Sequence, residues 1–317
     1  MKKIIAIILS AVLICTCFVG CADKNDTSTP DANATDTNAS ALEFTFDTYY
    51  SSYDDSTIHY YEQMCQAIID QQSELRFNQS IYENVSQLLF TSFPLVDLIE
   101  KVSINNDMSG ITITYKYDKA QHAQLVNEFA SKIDKIKSDC MYTKVSDNEY
   151  IINVYKYIAS NIVFSQNKAI TLYETITTNQ GTSFTYSRMF EYILQQSGID
   201  TSHVIALDKA QGTCGLSIVF MDNSYFYFDP IREFTDNGGT KLKFFGMTTA
   251  DAVNCGLSDF SFSDSTKITI EIIDPRFAPC RNCESYSVSN DVLTVVDAQS
   301  QTNEISLIIE NDASIVG

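Results

Sequence analysis

The sequence predicts an α+β protein in which helices pack on an antiparallel sheet. Two alternating, aromatic-rich stretches, CGLSIVF from Cys214 and SYFYFDP from Ser224, flank the turn residues MDN and predict a β-hairpin. Helical spacing of apolar residues precedes them, and further alternation follows. We divide the chain into a signal peptide at 1–20, a lipidated cysteine with a flexible tether at 21–42, a small N-terminal α/β segment at 43–146, the core at 147–256 and a small C-terminal β appendage at 257–317.

The N-terminus has the features of an exported lipoprotein. Lys2 and Lys3 precede the apolar run 4–19, which is too short and wrongly flanked for a membrane-spanning helix. The run ends in FVGC, where small Gly20 stands directly before Cys21 as in a bacterial lipobox. We therefore expect cleavage before Cys21, a lipid on its thiol and an extracytoplasmic body anchored to the cell membrane. The alternative is an ordinary secretory signal with a chance cysteine.

The composition after the signal restricts the partners. Residues 22–41 contain Asp, Asn, Thr, Ser and Ala, which cannot bury a core and predict a flexible tether. Removing residues 1–20 leaves 19 basic against 40 acidic residues, a net charge of −21. A chain this acidic repels nucleic acid, so we expect no nucleic-acid partner. The expected partners are the membrane, through the lipid on Cys21, and peptides or cell-wall fragments; no cofactor is expected.

Periodicity predicts the elements of segment 43–146. One helix starts near Ser56, and a second starts near Asn78 and ends at Pro94. GITITYKYD, from Gly110, alternates as a strand. A third helix follows, with apolar residues in register between Leu125 and Ile136.

The core region 147–256 begins with a helix that Asp147 or Asn148 is expected to cap. A glycine turn and a second helix follow in NQGTSFTYSRMFEYIL, with Gly198 expected at the helix C-terminus. Strands are then predicted from His203, Cys214 and Ser224. Beyond the core, KITIEII, ESYSVS, VLTVV and EISLIIE alternate, which predicts the strands of the β appendage.

The hairpin geometry relates three candidate site residues. A four-residue loop would pair Cys214 with Asp229, and a two-residue turn at 222–223 would pair Leu216 with Asp229. Positions 214 and 216 lie on one face, so Cys214 and Asp229 share a face in either register. The helix that begins near Ser183 precedes this sheet and is expected to pack on it. Ser183, Cys214 and Asp229 are therefore expected to converge.

This order of motifs resembles the transglutaminase-like superfamily of papain-type cysteine proteases and acyltransferases. GTSFTYS at 181–187 is similar to the family's nucleophile turn, with Ser183 at the cysteine position. TCGLS at 213–217 corresponds to the histidine strand, with Cys214 for His and Leu216 for Trp, and YFYFDP at 225–230 corresponds to the strand that ends in the catalytic Asp229. VYKYIASNIVF before the site and FFGMTTADAV after it also look like family segments, so the resemblance covers about 147–256.

The resemblance implies a catalytic triad of which two members are replaced. The family's thiol is activated by a helix N-terminus and an imidazolium, whereas a serine hydroxyl needs an adjacent general base. Cys214 is a poor base because a thiol is protonated near neutral pH. The histidines of the chain are His59, His122 and His203, and none lies at the expected strand position. We expect a degenerate member of the family and leave its enzymatic status open, leaning toward no activity.

Simpler roles compete at each candidate position. Ser183 fits a helix N-cap or first-turn residue, and Asp229 fits a strand-end turn residue. Cys214 fits a buried small residue or half of a disulfide. A migrated nucleophile at Cys214, with His203 as its base, is the catalytic alternative.

Six cysteines remain after Cys21: Cys65, Cys140, Cys214, Cys255, Cys280 and Cys283. The pair Cys280 and Cys283 lacks a second pair at zinc-site spacing, so no metal site is expected. It also lies between β signals, unlike a redox motif that opens a helix. We expect a loop disulfide at 280–283, or pairing of these residues with other cysteines.

Three functions follow from these observations. The first is a lipid-anchored extracytoplasmic protein whose degenerate transglutaminase-like domain binds peptide or cell-wall-derived ligands in the former substrate groove. The second is a residual or rewired acyl hydrolase or cysteine-protease-like enzyme that uses Ser183 or Cys214. The third is a structural cell-envelope protein in which the protein's own side chains fill the groove. An open cleft between the Ser183 helix and the strands would separate the first two from the third.

Overall fold

A computed structural model describes residues 42–46, 53–76, 81–106, 109–165, 170–210, 212–262 and 265–308. The predicted signal peptide, Cys21 and most of the tether lie outside these residues. The chain divides into two compact units, which meet in sequence between Ser131 and Lys132 rather than near residue 146. Both contain helices and antiparallel strands, which confirms the α+β class.

The first unit contains a three-stranded antiparallel sheet and the predicted helices. Its elements are α1 (Asp55–Ile69), β1 (Glu74–Arg76), α2 (Tyr82–Ser92), β2 (Ile99–Ile104), β3 (Gly110–Tyr115) and the start of α3 (Lys119–Asp139). The strand order is β1-β3-β2, so the predicted strand at Gly110 is central. Helix α2 ends at Ser92, and Pro94 opens a 3₁₀ turn as expected of a helix breaker.

The second unit has helices on a four-stranded sheet. Its helices after α3 are α4 (Asp147–Asn161), α5 (Leu172–Thr178), α6 (Ser183–Gln195), α7 (Pro230–Asn237) and α8 (Thr249–Asn254). Its strands are β4 (Val163–Phe164), β5 (Gln180–Gly181), β6 (Thr201–Asp208), β7 (Gly212–Met221), β8 (Ser224–Phe228), β9 (Leu257–Phe262), β10 (Cys283–Ser289), β11 (Val292–Asp297) and β12 (Thr302–Ser306).

The helix ends of this unit follow local capping. Ser146, rather than the predicted Asp147 or Asn148, caps α4, because its side chain accepts the N–H of Glu149. Helix α6 ends at Gln195, and Gly198 takes a left-handed φ of 76° three residues later, where the chain turns toward β6.

The central sheet has the order β8-β7-β6-β9 and is antiparallel throughout. The hairpin between β7 and β8 has the two-residue turn Asp222–Asn223, and both residues have positive φ. Ser217 therefore pairs with Phe228, which selects the predicted register that places Leu216 opposite position 229. Strand β9 pairs with β6, so the central sheet continues beyond residue 256, the predicted end of the core.

The two faces of the central sheet have different neighbours. On one face, α4 and α6 contribute Tyr155 and Phe190, whose rings contact Phe228. The opposite face is a separate apolar cluster that includes Leu216, Tyr227 and the residues Val204, Ala206, Cys214, Ile218, Met247, Ala252, Leu257, Phe262 and Ile272. Successive β7 residues therefore alternate between a helix-covered face and this cluster.

The C-terminal prediction is correct for three of four stretches. Strands β10, β11 and β12 form an antiparallel sheet in that order. KITIEII is not a strand: only Lys267 makes an isolated bridge, with Ser261. The physical reason is that Ile272 is buried in the central cluster, and its N–H donates to Thr249 Oγ1 at 2.8 Å instead of to a partner strand.

Adjacent glycines after α7 allow a test of the packing against α4. A Cβ at Gly239 would lie 2.1 Å from the Ala159 carbonyl oxygen, whereas a Cβ at Gly238 would meet nothing within 4 Å. Both glycines have left-handed φ, so Ala costs about 1 kcal/mol at either position. We expect Gly239→Ala to lower the free energy of unfolding by at least about 2 kcal/mol more than Gly238→Ala, measured by urea denaturation. Equal losses would contradict the close contact.

Candidate functional site

The GTSFTYS stretch forms a short strand and a capped helix start. Thr182 is the N-cap of α6, and it exchanges hydrogen bonds with Thr185 in a capping box. Ser183 is therefore the first helical residue and not the cap itself. Its side chain is partly exposed. Gly181 precedes the cap in a buried position, where a Cβ would lie 3.0 Å from atoms of Thr185 and Tyr186.

One turn further along α6, a buried polar cluster joins the helix to β6. His203 Nδ1 lies 3.1 Å from Glu191 Oε1 and 3.3 Å from Ser187 Oγ. All three side chains are buried. The Ser187 hydroxyl also lies 2.9 Å from the Phe184 carbonyl oxygen, to which it can donate. This cluster is the one histidine-centred polar contact that we find beside the predicted nucleophile helix in the described residues.

The cluster does not have the geometry of a catalytic triad. A triad histidine uses one ring nitrogen for the acid and the other for the nucleophile. Here Ser187 and Glu191 both approach Nδ1 of His203. One arrangement compatible with these distances has Nδ1–H donating to Glu191 while the Ser187 hydroxyl donates to the Phe184 carbonyl. The cluster therefore pairs buried polar groups across the helix–sheet interface.

The helix approaches β7 most closely at Gly215. A Cβ there would lie 2.7 Å from Ser187 Oγ and 3.0 Å from both His203 Cε1 and Phe184 Cα. Two positions along, the Ser217 hydroxyl donates to the Ser187 carbonyl at 3.2 Å. Gly215 and Ser217 thus face α6, and the helix and the strand are in direct contact at Gly215.

Cys214 lies on the opposite face of the sheet from α6. It pairs across the strands with Ala206, whereas His203 pairs with Ser217, so His203 and Cys214 point to different faces. The Cys214 thiol donates to the Ala206 carbonyl at 3.6 Å. Burial, reinforced by the charges of Asp229 and Asp208, raises the pKa of the Cys214 thiol to about 12. The residue is a protonated, buried thiol, as its simpler interpretation predicts.

Asp229 follows β8 and begins α7. Its side chain accepts the Arg232 N–H at 3.0 Å, which makes it the N-cap of α7. The Arg232 guanidinium lies 3.7 Å from it and also pairs with Asp208. Burial raises the pKa of Asp229 to about 6, although the Arg232 N–H and guanidinium partly oppose the shift. Asp229 thus acts in the structure as a buried cap and ion-pair partner.

The expected convergence of Ser183, Cys214 and Asp229 is therefore wrong. Cys214 and Asp229 lie on the same side, as predicted, because Asp229 shares the Arg232 guanidinium with Asp208, which points to the same face of β6 as Ala206, the partner of Cys214. Ser183 belongs to the helix that covers the other face. Ser187 and Glu191 are not among the site residues that the sequence predicts. Their signal was two polar residues four apart on the otherwise apolar, buried face of α6.

Cys280 and Cys283 do not form the predicted loop disulfide; all six cysteines in the described part of the chain are free thiols. Cys280 lies in a 3₁₀ turn, Ala278–Asn282, and is fully buried. Cys283 opens β10, and its thiol donates to the Ser285 carbonyl at 3.4 Å.

The described residues show neither a metal-binding cluster nor a membrane-spanning helix. They contain no group of three or more His, Cys, Asp or Glu side chains arranged to hold a metal ion. No helix among them is both long enough and apolar enough to cross a bilayer.

Comparison with known proteins finds no matching family model and no matching curated protein. Among solved structures, a proposed cysteine protease from Cytophaga hutchinsonii is 10% identical, with 45% of this chain and 46% of that chain covered and a TM-score of 0.29. A transglutaminase structure is 12% identical, with 52% and 50% covered and a TM-score of 0.31. A proposed protease from Parabacteroides distasonis is 11% identical, with 39% and 29% covered and a TM-score of 0.23. The chain spans half or less of the length of these structures.

The raised pKa of Asp229 predicts a pH-dependent loss of stability. An acid whose pKa rises from 3.8 to about 6 on folding binds more protons in the folded state, so its contribution falls as pH rises from about 4 to above 6. Asp229→Asn keeps a capping oxygen and does not titrate. We expect the variant to gain about 3 kcal/mol relative to the wild type between pH 4 and pH 7, measured by urea denaturation at each pH. A constant difference across this range would contradict the burial argument.

Proposed function

We propose that this protein is a lipid-anchored, extracytoplasmic and degenerate member of the transglutaminase-like superfamily that acts by binding peptide or cell-wall-derived ligands. The family assignment rests on the motifs at 181–187, 213–217 and 225–230. The observation that carries the non-catalytic part is that Cys214 lies on the sheet face opposite to α6, the helix that begins at Ser183.

Ser183 and Cys214, the positions that correspond to the family's nucleophile and histidine, lack the groups that acyl transfer needs. A serine nucleophile needs a base within about 2.6–3.2 Å, or through one water. The nearest histidine on the helix face, His203, contacts Ser187 and Glu191 through one nitrogen. A thiol whose pKa is raised to about 12 is neither a general base nor a thiolate near neutral pH. This favours binding over the rewired hydrolase that would use Ser183 or Cys214.

The packing also changes where a ligand would bind. Gly215 lies against Phe184 and Ser187, so an inherited groove between α6 and β7 has no room at this point. This observation supports the third function, a structural envelope protein, as the second candidate. Binding remains the leading proposal because Ile270 and Ile273 expose apolar surface elsewhere on the second unit, and we assign the site to that surface instead of to the former groove.

The anchor is proposed from the sequence alone. The FVGC cleavage pattern, the tether and the acidic body form a consistent series, in which the lipid on Cys21 holds the body at the membrane. An acidic body has no electrostatic attraction to anionic lipids, so attachment depends on the lipid.

The catalytic alternative is tested by reactivity. We expect native iodoacetamide at pH 8 to leave Cys214 unmodified, because a buried thiol with a pKa of about 12 is ionised in on the order of one molecule in ten thousand. Cys255, which is partly exposed, is the matched control and is expected to react faster. Peptide mapping by mass spectrometry after native and urea-treated labelling measures both.

The same preparation is assayed for turnover of peptide and glutamine substrates and for labelling by a serine-reactive fluorophosphonate. We expect neither turnover nor labelling of Ser183. Turnover that Ser183→Ala or Cys214→Ala abolishes would overturn the non-catalytic proposal.

Lipid anchoring is tested by Cys21→Ser. We expect the wild type in the membrane fraction and the variant released from it or retained as an uncleaved precursor, scored by fractionation and intact mass. Cys255→Ser is the control and keeps the wild-type distribution. Equal membrane association of the Cys21→Ser variant in processed form would show that another feature provides the anchor.

A further inference from the structure

We propose that the N-terminal end of β8, together with the segment 270–274, carries a binding site for a short extended peptide with apolar and positively charged side chains. This inference rests on the proposed binding function and assigns it a place. The site is a pocket of about 190 Å³ between the hairpin residues 223–225 and the segment 270–274. All of these residues belong to the second compact unit.

The volume of the pocket indicates that it binds part of a larger ligand. Sites for whole small molecules typically enclose about 300–1,000 Å³. A pocket of about 190 Å³ takes one or two side chains of a longer molecule. A ligand that also contacts the surrounding surface, such as a peptide, therefore fits it better than a cofactor.

The pocket wall formed by the segment 270–274 exposes apolar side chains to solvent. Ile270 is 50% exposed and Ile273 is 73% exposed, and both line the pocket. Tyr225 lines it from the hairpin side. Single exposed apolar residues are normal, whereas two beside a pocket form a surface that gains free energy when it is covered.

The backbone of the same segment is available for pairing. Ile272 is held by hydrogen bonds to Thr249 on both its N–H and its carbonyl. For Ile270, Glu271 and Ile273, the described residues provide no backbone hydrogen-bond partner. An anchored segment with open backbone donors and acceptors is suited to binding an extended peptide through its main chain, and here the segment itself, not the edge of β8, provides those groups, because β8 already pairs with Met247 at Tyr227.

The charged residues around the pocket favour a ligand of positive charge. Glu271 and Asp274 line the pocket, and Asp222 lies in the adjacent turn. Arg276 pairs with Asp222 at 2.8 Å and with Asp274 at 2.9 Å, so one cation offsets two of the three acids. The remaining negative charge, in a chain of net charge −19, favours a cationic peptide.

The Arg276 pairs also hold the two walls in a fixed relation. The guanidinium links the hairpin turn to the 270–274 segment and lies 5.5 Å from the centre of the Phe226 ring. A site whose walls are fixed before binding loses less conformational entropy on binding.

The test measures binding of a fluorescent peptide, Lys-Val-Ile-Val-Lys with blocked ends, to the full chain in mild detergent. We expect the wild type to bind it, and Ile273→Ser to weaken binding at least about tenfold, since a buried apolar side chain contributes that much. Val253→Ser, at another exposed apolar position on α8, is the matched control and is expected to bind as the wild type does. Circular dichroism confirms that each variant is folded.

A charge exchange adds a second, independent readout. We expect Glu271→Lys to weaken binding of the Lys-Val-Ile-Val-Lys peptide and to strengthen binding of Glu-Val-Ile-Val-Glu. Added salt is expected to reduce both effects. If the wild type binds the Lys peptide but Ile273→Ser and Glu271→Lys bind it equally well, the site is wrong while peptide binding stands. If the wild type binds neither peptide nor soluble cell-wall fragments, the binding function itself is overturned with the site.

Discussion

The contact between the start of α6 and Gly215 constrains the rest of the second unit. A helix can approach a strand this closely only where the strand has no side chain, and here Phe184 Cα and Ser187 Oγ occupy the place of a Cβ. Because side chains alternate along β7, a glycine facing the helix sends Cys214 and Leu216 to the other face. The same alternation brings Ser217 and His203 under the helix, where their polar atoms find partners. The close contact of α6 with Gly215 thus determines that Ser217 faces the helix and that the Cys214 thiol lies on the other face of the sheet.

Buried charge is the second constraint, and it explains why Asp229 has a structural role. A carboxylate without solvent is costly unless it is paired and hydrogen-bonded. Asp229 accepts the Arg232 N–H and lies near the Arg232 guanidinium, which also pairs with Asp208 at the end of β6, two strands away from β8. The pair ties the start of α7 to the sheet. The raised pKa of Asp229 indicates that these interactions do not fully compensate for its burial.

Local patterns in the sequence predict most of the fold, and they fail where a choice depends on the third dimension. Alternation and turn residues identified β6, β7 and β8, and parity placed Cys214 and Asp229 on one side. Parity cannot indicate which face a helix will cover, so the predicted convergence with Ser183 failed. KITIEII alternates well, yet it is not a strand because the burial of Ile272 and its bonds to Thr249 replace a strand ladder. The cap at Ser146 differs from the prediction by one residue, since several polar residues in a row can each cap a helix.

The closed helix–sheet interface restricts where this chain can bind anything. Gly215 is in contact with the helix, Cys214 lies in the apolar cluster and His203 pairs with Glu191, so each of these three residues is engaged within the protein. A binding role then requires surface that folding leaves uncovered. The 270–274 segment provides it for the same reason that it is not a strand: one residue, Ile272, is drawn into the core and its neighbours remain outside. The burial of a single side chain thus creates both the departure from the predicted strand and the exposed edge on which a peptide can pair.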